Sequence, residues 1–210
     1  MISGVNLFLI LLSFIAWTST ASESQICYLP QAMELDVEML PKTSWYSGLH
    51  TDDITASMLS CIRLNNFTCT ASGFGLVSKE HGVRYVEFEF HFEYDGDGIY
   101  HPRKSDAEYI HAEHEKEMNG LDKEVVVDMD NFLINGKAVF LTDYKNYLAI
   151  LQCPRDGSVD KEYRLIRGFF PSSNPDLSQV AVFINALHEM GISAKFYAST
   201  CSETDWSHEK

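Results

Sequence analysis

Positive charge is scarce in this chain: 16 Lys and Arg stand against 30 Asp and Glu, a net charge of −14 with His neutral. That balance argues against nucleic acid and anionic membrane surfaces as partners. It favours solubility, and a solvated acidic face is the reading taken over one that attracts cationic ligands or partners. Long apolar runs are lacking too, since no segment past the N-terminus approaches the ~18 uninterrupted apolar residues of a membrane span. No Gly/Ser-rich or Pro-rich linker divides the chain and no repeat recurs, so one domain with a substantial core is expected. A Gly-rich phosphate loop, a nucleophile elbow and a zinc-protease helix are all missing, which leaves enzymatic chemistry little support.

Charge is wholly absent from residues 1–21. Residues 7–17 form an apolar stretch shorter than a membrane span, followed by Thr18-Ser19-Thr20-Ala21, a small-residue cleavage site. Residues 1–21 therefore read as a secretory signal peptide and 22–210 as a single mature domain bound for the extracellular space. The chain has five cysteines, and in a secreted protein they point to disulfides whose connectivity the sequence alone leaves open.

Alternation is what the chain has in quantity. Many short alternating segments precede one helix and a short terminal strand, the order expected of an antiparallel barrel with a packed helix. In the clearest strand, 86–94, Val86, Phe88, Phe90, Phe92 and Tyr94 alternate with Glu87, Glu89, His91 and Glu93, so one face is buried and the other wet. Asp95-Gly96-Asp97-Gly98 supplies the turn that follows. A helix is predicted over 177–190, opened by Asn174-Pro175-Asp176 and closed by Gly191. Val180, Phe183, Ile184 and Leu187 give it one apolar stripe. Between the apolar runs 138–141 and 148–151, Thr142-Asp143-Tyr144-Lys145-Asn146-Tyr147 has the chemistry of a hairpin tip.

Thr142-Asp143-Tyr144, Trp45-Tyr46 and Arg167 together resemble the three-part signature of the kernel lipocalins. Cys27, Asp36-Val37 and the spacings among Trp45, Cys61, Cys153 and Cys201 bring the chain nearest to the apolipoprotein D, bilin-binding and crustacyanin branch. One departure is Thr43, at a position that is usually Gly in that family. The resemblance implies an all-β fold, an eight-stranded antiparallel up-and-down barrel with a C-terminal α-helix packed on its wall. It implies disulfides Cys27–Cys153 and Cys61–Cys201, leaving Cys69 over. It also implies that Arg167 packs over Trp45 near the closed end, both as structural residues. The expected function is binding and transport of a small hydrophobic ligand without chemical change. A lipid, sterol or retinoid fits, as does a chromophore such as a bilin or carotenoid. No cofactor is required, and a homo-oligomer is compatible.

A barrel of about eight strands is just wide enough for one small ligand, so each inward aromatic either fills space or lines a pocket. Phe67, Cys69, Phe88, Phe90 and Phe92 are the lining candidates. Asn66-Phe67-Thr68 is a glycosylation sequon that puts Asn66 at the surface, and strand parity then turns Cys69 inward with Phe67. His91 shares its face with three glutamates and so points to water, which sets it against a haem-ligand role. His101, His111 and His114 lie in an acidic stretch, 101–118. The pair His111 and His114 suits a metal only on a helix, and a solvated strand or loop near the barrel mouth is the reading taken. The alternatives to a carrier are a secreted protein-binding lipocalin acting through its surface, and a thiol-dependent prostaglandin-type isomerase using Cys69.

Overall fold

The computed structural model describes residues 27–52, 59–82, 85–109, 136–154 and 165–206. Eight strands follow one another: β1 (Trp45–His50), β2 (Leu59–Thr70), β3 (Gly73–Gly82), β4 (Tyr85–Gly96), β5 (Ile99–Pro102), β6 (Lys137–Thr142), β7 (Leu148–Cys153) and β8 (Leu165–Phe170). Each pairs antiparallel with the next, β8 returns to β1, and β1 meets β2, closing the barrel. Helix α1 (Leu177–Glu189) comes after the barrel, then β9 (Tyr197–Ala198). No helix among the described residues is long and apolar enough to cross a membrane. Residues 1–21, read as a signal peptide, and His111 and His114 lie outside the described residues.

Alternation sorts the side chains into two cores. The inner one joins Trp45, Leu64, Phe74, Leu76, Phe88, Phe90, Phe92, Phe140 and Ile150, and the outer one joins Val139, Leu141, Ala149, Leu151, Ile166 and Phe170 to Phe183 and Leu187 of α1. β6, β7 and β8 are thus apolar on both faces because one face lines the barrel and the other carries the helix. Val180 and Ile184 complete the predicted stripe at partial burial. The helix starts where Asp176 accepts from the Gln179 N–H and Gln179 answers the Asp176 N–H, a capping box. It ends one residue sooner than the sequence suggests, at Glu189, and Gly191 takes the left-handed φ of +72° that a β-carbon disfavours.

The segment before β1 crosses one end of the barrel and closes it. Leu35, Val37 and Leu40 join the inner core. The Leu35 N–H donates to the Tyr100 hydroxyl (2.8 Å) and the Asp36 N–H to that of Tyr144 (3.2 Å). At the β4–β5 turn Gly98 has φ +77°, and a β-carbon there would run into the Ala32 carbonyl, so the close approach needs glycine. Thr43 needs none: its N–H donates to Pro41 O (2.7 Å), and its φ is not in the left-handed region.

The β6–β7 tip is organised by Asp143. Its Oδ1 accepts from the N–H groups of Lys145 (3.0 Å), Asn146 (2.7 Å) and Tyr147 (3.3 Å), while the Thr142 hydroxyl donates to Tyr147 O (2.6 Å). Burial pushes the Asp143 carboxyl up, but the donors from Asn146, Lys145 and Tyr147 outweigh it and leave it below the ordinary value. Asp143→Ala is expected to cost about 1–2 kcal/mol in urea unfolding at pH 7. Because the folded-state value is depressed, this contribution is full above the unfolded Asp value near ~3.9 and fades as pH falls through the folded one. An Asp143→Ala deficit that persisted unchanged at acid pH would contradict this account.

The C-terminal tail completes the seam between β1 and β2. These strands pair only at Trp45↔Leu64 and Tyr46↔Arg63. Beyond that, β9 pairs with β1 through Leu49↔Ala198 and His50↔Tyr197, and the Thr200 N–H donates to Ser60 O on β2 (3.1 Å). Cys61–Cys201 fastens the tail there, and Cys27–Cys153 ties the N-terminal segment to β7. Both pairings are those implied by the resemblance. Farther along, Trp206 lies under the Arg63 guanidinium (4.4 Å to the ring centre) and against His81.

Candidate functional site

The half of the interior next to the N-terminal segment is filled with aromatic rings. Phe74 stands at its centre, with ring centres 5.4 Å from Phe92, 5.2 Å from Tyr100, 5.0 Å from Phe140 and 6.3 Å from Phe67. Phe67 and Phe92, two of the five lining candidates, belong to this plug. Burial pushes the Tyr100 hydroxyl up to about 12, so it stays protonated at neutral pH beside the Leu35 N–H. Sequence reading did not name Tyr100 or Phe140 as interior members: β5 is only four residues long, and Phe140 lies in the β6 run 138–141, which is apolar on both faces and so does not show which side points inward.

Phe88 and Phe90 continue the same face of β4 away from the plug, both buried. Phe88 meets Tyr109 edge-on, with ring centres 6.5 Å apart. The inner face of β3 turns polar at this level. Phe74 and Leu76 give way to Ser78 and Glu80, which the ladder sets opposite Phe88 and Val86 on β4. Leu64 and Ile62 lie across β2 from the same two residues. The Ser78 hydroxyl donates to Glu80 Oε1 (3.4 Å). Desolvation pushes the Glu80 carboxyl up, opposed by attraction to Arg167 and by the Ser78 hydroxyl. Leu59, Glu80 and Val86 retain partial exposure, in contrast to Phe74 and Leu76 deeper in, so this end of the interior is the one solvent reaches. Gln152 and Arg167 are buried polar residues on β7 and β8.

Arg167 differs from its expected place. The ladder sets it opposite His50 and Ile150, while Phe170 stands opposite Tyr46 next to Trp45. Arg167 is thus at the other end of β1 from Trp45, and its positive charge lowers the Glu80 carboxyl against the larger rise from burial. Register depends on pairings across the whole chain, so the local sequence around Arg167 carries no sign of this. Ser78 and Glu80 did leave one: they extend the period-two series of Phe74 and Leu76.

Cys69 is a correction to the lining set. It pairs with Phe74 across the ladder and so shares the inward face, yet the residue is exposed. Beyond Leu64 β2 has no pairing with β1, and Cys69 borders an outer groove of about 610 Å³ with Leu35, Val37, Gly73 and Tyr94. A ligand in the interior is separated from this thiol by the aromatic plug. Asn66 is exposed, with φ +52°, in a bulge where β2 slips between Asn65 and Thr68. Asparagine tolerates that backbone better than most residues.

His91 faces outward, as its parity requires, but it is not free in water. Its Nδ1 lies 2.7 Å from Asp106 Oδ2, which also accepts the His91 N–H at 2.9 Å. Asp106 belongs to a helical stretch over 104–109 that leaves β5 and lies along β4. His101 pairs with Asp95 at 2.9 Å. Among the described residues no group of three or more His, Cys, Asp and Glu side chains comes together to hold a metal.

No protein-family model matches the sequence, and no curated protein matches it. Solved structures do match the fold. The major allergen Per a 4 from cockroaches gives a TM-score of 0.54 at 13% identity, over 85% of this chain and 98% of its own. A biogenic amine-binding protein gives 0.53 at 14% identity, over 83% and 86%. Lobster apocrustacyanin A1 gives 0.46 at 13% identity, over 75% of each chain. These neighbours are lipocalins, and this chain has the lipocalin fold: a closed eight-stranded up-and-down barrel followed by a helix.

Proposed function

We propose that the protein is a secreted carrier that encloses one small hydrophobic molecule in the barrel, on the solvent-reached side of the aromatic plug. The observation that carries this reading is the split interior. One half is packed solid around Phe74, whereas the other keeps Phe88, Phe90, Ile62 and Ile150 on an inner face whose outermost members remain partly exposed. Enclosure there removes apolar ligand surface from water at about 25 cal/mol per Å². A lipid, sterol, retinoid, carotenoid or bilin suits such a pocket. The charge-free segment 1–21 and two disulfides support an extracellular setting. Exposed Asn66 supports glycosylation there. The thiol-isomerase alternative loses ground because Cys69 lies outside the interior.

The expected result is tight, saturable binding of a neutral apolar fluorophore, N-phenyl-1-naphthylamine. Phe88→Ala with Phe90→Ala should weaken it at least about tenfold, the loss of ~1.4 kcal/mol of contact. Cys69→Ala should leave it unchanged. Thermal unfolding followed alongside separates lost binding from lost fold. A folded double variant with undiminished affinity would move the pocket elsewhere.

A further inference from the structure

In an antiparallel ladder a hydrogen-bonded residue exchanges both its N–H and its C=O with the residue facing it. His91 divides this exchange between two groups. Its carbonyl accepts the Arg103 N–H at 2.8 Å, one step past the Phe92↔Pro102 pair where the β4–β5 ladder ends. Its N–H goes to a side chain instead, Asp106 Oδ2 at 2.9 Å, and the same oxygen takes the ring Nδ1 at 2.7 Å. A carboxylate oxygen only accepts, so Nδ1 carries the proton. Arg103 O, the acceptor a strand would have offered, is taken by the Asp106 and Ala107 N–H groups at 3.1 and 3.0 Å, which starts the helical stretch 104–109. The His91 and Asp106 side chains are 17% and 15% exposed, and the ring lies over Gly75, where a β-carbon would come within 2.8 Å of His91 Cδ2. Nearby charges are Glu89 Oε1, 3.6 Å from Nε2, and two more exposed pairs, Arg103 with Glu93 (3.8 Å) and Lys104 with Glu108 (3.7 Å). Past His91, no strand among the described residues pairs with β4 on this side. There Phe88 meets the Tyr109 ring at the far end of the helical stretch, and Tyr109 is itself 57% exposed.

We propose, resting on the carrier reading above, that residues 104–109 are a side door to the pocket, latched by His91 and Asp106, and that the ligand passes between this stretch and β4 beside Phe88. The stretch is fixed to the wall by bonds from one residue to one carboxylate rather than by a ladder, so it swings out without parting the strands of the barrel. Its outer end rests on a side chain of the pocket itself. His91 and Asp106 are positioning residues, because the pair lies on the outer face of β4 and acts on the ligand only through where it holds Tyr109. A door that meets the ligand neither open nor shut changes the rates of entry and exit together and leaves the equilibrium alone. Loss of a charge-assisted hydrogen bond at low exposure raises the open population by about tenfold or more.

Stopped-flow mixing of the full-length protein with N-phenyl-1-naphthylamine gives the association and release rate constants, and equilibrium titration gives Kd separately. Asp106→Ala and His91→Phe are expected to raise both rate constants alike, about tenfold each, with Kd within about twofold of the unaltered value. His91→Phe keeps a ring over Gly75 and loses the Nδ1 donor. His91→Asn, whose side-chain N–H can stand where Nδ1–H does, is expected to restore nearly the original rates. Damage to the pocket moves Kd and shows no such rescue. Should both latch variants fail to fold, Tyr109→Ala decides, since it removes the exposed tip, leaves the latch, and quickens entry and exit together. Unchanged rates in the folded variants place the ligand's route at the open end of the barrel, which overturns the inference and leaves the carrier standing. A weakened Kd with no faster association makes the pair part of the pocket's shape and overturns it too. If the unaltered protein fails to bind the probe, both readings fall.

Discussion

Replacing Cys61 and Cys201 together with serine is expected to lower stability by about 2–5 kcal/mol, read as a fall in Tm of roughly 5–15 °C. The bridge spans a sequence separation of 140, so the unfolded chain regains a large loop's worth of freedom when it is cut. Its position adds a local consequence. Cys201 lies where the tail joins β2, next to the Ser47 hydroxyl, which accepts the Ile62 N–H at 3.1 Å. Amide exchange on β1 and β9 should accelerate more than exchange on β6 and β7, which pair over six consecutive residues. A uniform acceleration would show that the bridge acts on the unfolded state alone and that the seam holds without it.

Phe74→Ala is expected to cost about 3–5 kcal/mol, among the most damaging single substitutions available in the barrel. Phe74 is 1% exposed, and four aromatic rings surround it. Truncation leaves a cavity whose walls are held by separate strands, so collapse is poor. Guanidinium unfolding measures the loss. The contrast with Phe88→Ala is informative: the plug variant should lose stability first and the pocket variant affinity first. If Phe74→Ala abolished ligand binding while stability stayed intact, the plug would have to be counted as pocket.

The strand over 86–94 and the helix after Asp176 were legible because each announces itself locally, by period-two alternation and by a capping box. The inward Phe88, Phe90 and Phe92 followed from the first alone. Other features lie beyond local reach. A short terminal strand was expected after the helix, but its two-residue length and its place beside β1 come only from the tail's docking. The bulge at Asn66 is an effect of tertiary pairing with β3, and Cys69, three residues on, is exposed beyond the stretch of β2 that pairs with β1. Arg167 looked like a partner for Trp45 from a motif. Its true neighbours depend on the β8 register against β1, which juxtaposes residues more than a hundred apart in sequence. Ser78 and Glu80 sat at the inward positions of a readable strand, but a polar pair there runs against the assumption of an apolar interior.

The tail that fills the seam sets an order of events on the ribosome. β1 is the first barrel strand to be made, and the segment that pairs with its Leu49 and His50 is made after every other strand and after the helix. Until residues 197–201 emerge, that stretch of β1 presents an open strand edge, the kind of surface on which chains add to one another. The barrel is thus a clasp fastened last, and a nascent chain carries this open edge from the making of β1 until the tail emerges.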